Sequence, residues 1–321
     1  MAFEKPIYLD NNATTPCDPG VVEKMLPFFT EIYGNPANGY HIQGRMAAKA
    51  VDKARGQIAQ LIGAQPYEII LTGGATESDN LAIFGISRFS TNSFRNRLVT
   101  SKIEHKAVLY PCKVLKEDNH DVVFIPVSSA GEINLQEILD SITENTLLVS
   151  VHLANNEIGT IQPIHEIAEH AHSVGALVHT DAAQAVGKIP VHVDELGVDL
   201  LSMSAHKLYG PKGIGALYIR GGIKALPFAP MFYGGGQELG LRPGTSNVPS
   251  IVGFGEAAQL CTHNLGVENS RIQRLRDEFE ESLISRIPGL VINGKNTNRL
   301  PNTSSLIFPD VDADALLLNL S

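Results

Sequence analysis

Three short runs in this chain of 321 residues carry side chains able to do chemistry together. The first is Thr72-Gly73-Gly74-Ala75-Thr76-Glu77-Ser78, set between an apolar run and a helical pattern. Its glycines let the backbone approach an anion, the following helix offers free N–H groups, and the Thr76 hydroxyl adds a donor. It is neither a P-loop nor a dinucleotide fingerprint, and alone it reads equally as a tight strand-to-helix turn. The second run is His179-Thr180-Asp181-Ala182-Ala183-Gln184, where an acid stands at the end of a strand pattern. Such a carboxylate can pair with a protonated ring nitrogen, and Gln184 can donate to a phenolate-like oxygen. Alone, Asp181 fits a helix N-cap just as well. The third run is Ser204-Ala205-His206-Lys207, a lysine beside a Ser/His pair able to bind phosphate. A free lysine titrates near ~10.4 and is a weak nucleophile until burial or a nearby cation lowers that value.

Their order along the chain narrows the chemistry. A phosphate loop, then an acid on a strand, then a Ser-x-His-Lys run is what pyridoxal phosphate requires, together with an aromatic ring on the face of the cofactor. His105, in Ser101-Lys102-Ile103-Glu104-His105-Lys106, is the candidate for stacking, although it also reads as a histidine at a helix start. Lys207 and His105 are therefore the candidate catalytic residues. A second histidine-rich stretch, His165-Glu166-Ile167-Ala168-Glu169-His170-Ala171-His172, lacks metal spacing. Its His165 and His170 stand about 140° apart on a helix, not on one face. It reads as an exposed helix face, and no metal site is expected.

The elements that must position these residues are legible as alternating patterns. Residues 68–72, 97–100, 122–127, 147–151, 177–180 and 200–203 read as strands, and 215–219 as a strand paired through the Gly-rich turn before it. Helical periodicity runs through 76–89 and restarts near His105. This predicts an α/β fold, a largely parallel sheet with helices on both faces and the site at the carboxyl ends of its strands. Residues 233–247, YGGGQELGLRPGTSN, form the one long Gly/Pro-rich loop. A helical stretch over 249–287, broken near Gly266, and short strands near 290–292 and 304–308 then predict a smaller α+β domain. The expected division is 15–260 for a large cofactor domain, and 1–14 with 261–321 for the small one. The acids at 310–314 suit a helix start, and the apolar run 315–318 ahead of Ser321 reads as a small domain without its C-terminal part. A terminal docking helix is the other reading.

Composition removes other classes. No apolar run reaches the roughly 20 residues that span a bilayer. A net charge of −9 without a basic cluster argues against nucleic acid. Cys17, Cys112 and Cys261 follow no metal-ligand spacing and read as reduced thiols. The start, MAFEKPIYLDNN, lacks the basic and apolar stretches of a signal peptide, so a cytoplasmic protein is expected. No G-x-G-x-x-G follows an early strand, which disfavours a nicotinamide dehydrogenase.

With Tyr8-Leu9-Asp10-Asn11-Asn12-Ala13-Thr14-Thr15, Gly34-Asn35-Pro36, Glu104-His105-Lys106-Ala107-Val108, Asn155-Asn156-Glu157-Ile158-Gly159 and Arg242-Pro243-Gly244-Thr245, these runs cover nearly the whole chain. In that order the chain resembles the cysteine desulfurases of the NifS/IscS type, in the class V aminotransferase group of fold-type I pyridoxal-phosphate enzymes. The resemblance implies that Lys207 bonds covalently to the cofactor and later moves the Cα proton. It gives the pyridine nitrogen to Asp181, the phenolic oxygen to Gln184 and the ring face to His105. Ala75, Thr76, Ser204 and His206 would hold the phosphate, Thr245 would reach in from a partner subunit of a homodimer, and Asn156 would lie near cofactor and substrate. The implied reaction takes sulfur from L-cysteine, leaves L-alanine, and passes the sulfur to an acceptor such as an iron–sulfur scaffold. The family's persulfide cysteine and substrate-binding arginine lie beyond the region matching 306–320, so turnover by the chain as it stands is left open. A related class V lyase or aminotransferase, or a non-catalytic dimer partner, are the alternatives.

Overall fold

The computed structural model describes residues 7–89, 94–226 and 228–320. The opening segment 1–6, part of the stretch read against a signal peptide, lies outside them. Seven strands pair into one sheet: β1 (Ile69–Thr72), β2 (Arg97–Ser101), β3 (Asp121–Ile125), β4 (Thr146–Ser150), β5 (Leu177–Asp181), β6 (Leu200–Ser204) and β7 (Gly215–Ile219), in the order β1-β7-β6-β5-β4-β2-β3. Pairings from β3 through β6 are parallel, and β7 runs antiparallel to both of its neighbours. The expected mostly parallel sheet is therefore present, with β7 turned back after β6 as the Gly-rich turn implied.

Alternation along each strand divides the core in two. Ile69, Val99, Val149, Val178, Leu201, Met203 and Tyr218 belong to one buried cluster, while Ile70, Leu98, Leu148, Leu200 and Leu217 belong to the other. Helices α1 (Pro19–Met25), α2 (Pro27–Thr30), α3 (Ile42–Leu61), α4 (Ala75–Phe89), α5 (Lys106–Glu117), α6 (Leu135–Ser141), α7 (Ile164–Ser173), α8 (Val193–Leu196), α9 (Val248–Arg286) and α10 (Ala313–Leu320) complete the chain. α4 and α5 cover the second cluster through Leu81, Ile83, Ile86, Val108 and Leu115. α3, α7 and the start of α9 cover the first through Val51, Ile58, Ile167, Ile251 and Phe254. Near-continuous apolar strands are the signature of a sheet buried on both faces.

One expectation fails. α9 passes unbroken through Gly266 and spans 39 residues. Gly266 is exposed and a side chain there would meet open space, so it costs only the roughly 1 kcal/mol of backbone entropy. Packing on both sides outweighs that, with Phe254 in the core and Glu280 holding Arg299 through two bonds of 3.0 Å. The expected division at 260 thus falls inside a continuous helix. Beyond α9, β8 (Val291–Ile292) and β9 (Leu306–Ile307) pair antiparallel, and Asp312 caps α10 by accepting from the N–H of Ala315 at 2.9 Å.

The 233–247 loop is tied to the edge of the sheet through Glu238, while its Leu241 is buried in the second core cluster. Glu238 accepts two bonds of 2.7 Å from Arg55 and one of 2.9 Å from the N–H of Leu71 on edge strand β1. To reach there the chain holds Glu238 and Leu239 at φ of 48° and 57°, a conformation that branched carbons resist. The contact blunts the open edge of the sheet. Glu238→Ala is expected to lower stability by about 3 kcal/mol, the cost of stranding Arg55 and a strand N–H. Urea denaturation checks this; a loss below a few tenths of that would mean the loop is held elsewhere.

Candidate active site

At the carboxyl ends of β4, β5 and β6, below the N-terminus of α4, opens a cavity of about 1650 Å³. Such a position is where open α/β sheets bind ligands. Ala75, Thr76, His105, Asn156 and Asp181 all line it, as do Gln184, Ser204, His206 and Lys207. Of the residues expected from sequence, only Thr245 stays outside the lining, exposed on the 233–247 loop. His165, Glu166 and His170 are far from this chemistry. His165 meets the carbonyl of Glu195 at 2.8 Å and His172 meets Asp199 at 2.9 Å, and no metal-ligating cluster occurs among the described residues.

Lys207 ends a short 3₁₀ turn (Ala205–Lys207) that follows β6. Its Nζ donates to the backbone carbonyls of Asn12 and of Ala13, the latter at 3.0 Å. Burial draws its amine below the usual lysine range, against the opposing pull of Asp181 and Asp10. Lys188 sits behind it, donating to Gln184 Oε1 at 2.6 Å; burial, then the charge of Lys207, brings it down to about 7. The same crowding, led by burial and then Lys207, lowers His206, which shares a 3.1 Å hydrogen bond with the Thr14 hydroxyl. An amine freed of part of its proton affinity is the kind that attacks a carbonyl.

The segment 10–15 closes the site and was not expected to. Thr15 donates to the carbonyl of His206 from both N–H and hydroxyl at 3.0 Å, and its Oγ1 accepts from the N–H of Tyr209 at 2.9 Å. Asn12 is a junction. Its carbonyl accepts from Lys207 and from Gln184 at 2.9 Å, its amide nitrogen donates to Asn156 and Thr303, and its Oδ1 accepts from Asn302 at 2.9 Å. The asparagines of the Leu9-Asp10-Asn11-Asn12 run were the only signal in the sequence.

Asp181 closes β5 with its carboxyl facing the cavity, where Oδ1 accepts from the N–H of Ala183 at 2.9 Å. Asp181 thus caps a turn, not the helix that its N-cap reading implied, while its side chain lines the cavity. Burial raises its carboxyl above the ordinary range, and His105 and Lys207 draw it back down. Opposite lies an anion cradle. Gly74, at φ of 149°, starts α4, whose first N–H groups have no intrahelical acceptor. The Cβ of any other residue at Gly74 would stand 3.8 Å from Ser204 Oγ, within the space between loop and strand. Glu77, the acid nearest this positive end, is occupied: its oxygens accept from Gly73 at 2.8 Å and from Arg242 at 3.1 Å. Arg242, from the Arg-Pro-Gly-Thr run, thereby keeps the cradle receptive to an anion.

His152, in the wall of the cavity, and His179, beneath it, are buried, and burial pushes both down to about 3. Unfolding restores ordinary histidine values, so the unfolded chain binds two more protons between about pH 6.5 and pH 3. Stability present at neutral pH should drain away as pH falls through that window. His152→Gln is expected to flatten the decline in urea midpoint with acid by about half, and an unchanged slope would assign the acid sensitivity to other groups.

The Aminotransferase class-V family model matches residues 7–321. The mitosomal cysteine desulfurase of Encephalitozoon cuniculi is 45% identical over 317 residues, covering 98% of this chain and 73% of that protein. A solved NifS-like protein superposes with a TM-score of 0.92 at 40% identity, over 97% of this chain and 84% of the other. A structure described as SspA in complex with cysteine gives 0.85 at 38%, over 98% and 87%. The chain belongs to the class V aminotransferase family, pyridoxal-phosphate proteins of the fold-type I architecture seen here.

Proposed function

We propose that this protein is a cysteine desulfurase, taking sulfur from L-cysteine, leaving L-alanine, and passing the sulfur to an acceptor for iron–sulfur cluster or thio-cofactor synthesis. One observation carries the reading: Lys207, Asp181 and the anion cradle of α4 converge in a single cavity. The match to named cysteine desulfurases and to a protein solved with cysteine supports the substrate. Each polar group of pyridoxal phosphate meets a complement here. The first turn of α4 with Ser204 and His206 suits its phosphate, Asp181 its ring nitrogen, Gln184 its phenolic oxygen, and Lys207 its aldehyde.

Once bound, the cofactor supplies an electron sink for the pair left when the substrate's Cα proton departs. Lys207 takes that proton at Nζ, a role its lowered proton affinity suits. Asp181 would hold a proton on the cofactor's ring nitrogen, and His105, which lines the same cavity, would pack against the ring. A thiolate then attacks the substrate sulfur: an S–S bond forms, the Cβ–S bond breaks, and its electron pair, once protonated, completes the methyl of alanine. Cys112 is wholly buried and pushed up to about 12, Cys261 to about 11, and Cys17 is raised as well, burial leading in all three. None is poised as a thiolate, so we assign the attack to another thiol.

Residues 15–260 serve as the cofactor domain, and 1–14 with 261–321 as the small domain. We infer a cytoplasmic homodimer. Thr245, exposed and outside its own cavity, is free to reach a partner's cofactor. Phe29, Tyr33, Tyr40 and Ile42 leave large apolar surface exposed on the segment 29–42, and three free thiols suit a reducing compartment.

With pyridoxal phosphate, L-cysteine and an added dithiol, the purified chain should release alanine and sulfide. Borohydride should fix the cofactor on Lys207, and Lys207→Ala should abolish both visible absorption and at least about 10³-fold of the rate. Cofactor fixed at another residue would overturn the site. Consumption of cysteine without alanine would overturn the reaction and favour another class V chemistry.

A further inference from the structure

Beneath the cavity lies a second polar layer that the reaction above does not use. Residues two apart on a strand share a face, so Thr100, Ser150 and His179 form a row across β2, β4 and β5, one pleat below His152 and Asp181, and Ser202 of β6 reaches that row from its place opposite Asp181. His179 spans the row, bonded to the Ser150 hydroxyl at 2.8 Å and the Ser202 hydroxyl at 2.9 Å. Asp79 of α4 comes down onto it, with Oδ1 3.6 Å from His179 Nε2 and neither oxygen in a hydrogen bond among the described residues. Glu104 enters from the side. It accepts from Ser101 Oγ at 2.5 Å and from the N–H of His152 at 2.9 Å, and it lies 3.5 Å from His152 Nδ1. Asp79 and Glu104 are 0% and 5% exposed, and among the described residues neither pairs with a lysine or arginine.

Three buried carboxyls, those of Asp79, Glu104 and Asp181, thus share a small volume in which only Asp181 faces a lysine, Lys207. Ionised carboxylates in such a place are prohibitive without partners, and neighbours of like sign cannot all ionise. We propose that Asp79 and Glu104 are positioning residues, uncharged acids packed beneath Asp181 that confine the negative charge of the site to the one carboxylate facing the cofactor's ring nitrogen. The inference rests on reading Asp181 as the partner of that nitrogen. The alternative arrangement, charge spread over the layer, would draw the ring proton's counter-charge away from the ring.

Burial, reinforced by Asp181 and opposed by Ser101 and the N–H of His152, pushes Glu104 up to about 8; Asp79 is raised too, by burial and then by Asp181. The titratable groups facing Glu104 are Asp181, His152, Asp79 and Cys112. Because the folded chain keeps this proton where the unfolded chain has lost it, the stability it confers is full below about pH 4.5 and is lost as pH rises to about 8.

Two measurements on the cofactor-free chain test the layer itself. Infrared spectra at neutral pH should show the C=O stretch of protonated carboxyls, with one component lost in Asp79→Asn and another in Glu104→Gln. The urea midpoint of Glu104→Gln, relative to wild type, should climb as pH rises from about 5 to about 8. A third measurement, on the loaded protein, tests the link to the ring: the visible absorption of the cofactor on Lys207 should shift near pH 8 in wild type and lose that step in Glu104→Gln. Absence of protonated-carboxyl bands, or a midpoint difference flat with pH, would overturn the proposal whatever the cofactor does. Bands present with an identical spectral step in both proteins would leave the acids structural and overturn their role. Failure of the cofactor to bind at Lys207 would instead bring down the site assignment on which the role depends.

Discussion

The register between β5 and β6 governs everything else in the site. Asp181 lies opposite Ser202, so Ser204 stands one pleat beyond it on the same face, and the 3₁₀ turn that follows throws Lys207 back over the cavity. A slip of one residue would point Asp181 and His179 at the opposite core and present Thr180 and Met203 to the cofactor. The register is locked by apolar alternation, because Leu200 and Val178 belong to opposite clusters and cannot exchange faces without exposing or overpacking a core. The chemistry is therefore placed by the same pattern that buries the sheet.

Charge is arranged around that frame by depth. Near the mouth, Lys207, Lys188 and His206 crowd one another, and burial together with mutual repulsion loosens their protons. One layer down, carboxyls accumulate and burial tightens theirs. Asp181 is the boundary, the acid that sees the cations. The two gradients support each other: amines ready to give up charge lie above acids reluctant to take it. Net charge at the floor stays small without a buried ion pair of the kind whose desolvation outweighs its attraction.

What could be read from sequence follows the range of the interactions. The strands, α4, α5 and the motifs ending in Asp181 and Lys207 are local patterns of alternation, glycine and capping, and they occur where expected. Asn12 was invisible as a junction because its partners lie as far as 291 positions away. Lys188 is four residues from Gln184 and looks like any solvated lysine until the fold buries it beside Lys207. Glu104 and Asp79 sit inside recognisable runs, but a carboxyl in a motif suggests charge, and only burial reveals the opposite. The supposed break at Gly266 erred in the other direction, giving a local propensity of about 1 kcal/mol more weight than the packing along a 39-residue helix.

The site is also divided along the chain in a way that couples its loading to its assembly. Segment 10–15 touches the lysine turn through Thr15 and Asn12, and the same Asn12 holds Asn302 and Thr303 from the region before β9. Thr160 and Arg299 form an isolated bridge beside it, while Arg299 is tied to Glu280 on α9. Segments 10–15 and 302–303 therefore meet beside Lys207. A ligand that ordered one of these segments would favour the order of the other through the shared asparagine. That linkage runs through part-buried hydrogen bonds in the cavity wall, in contrast to the apolar packing that locks the sheet register.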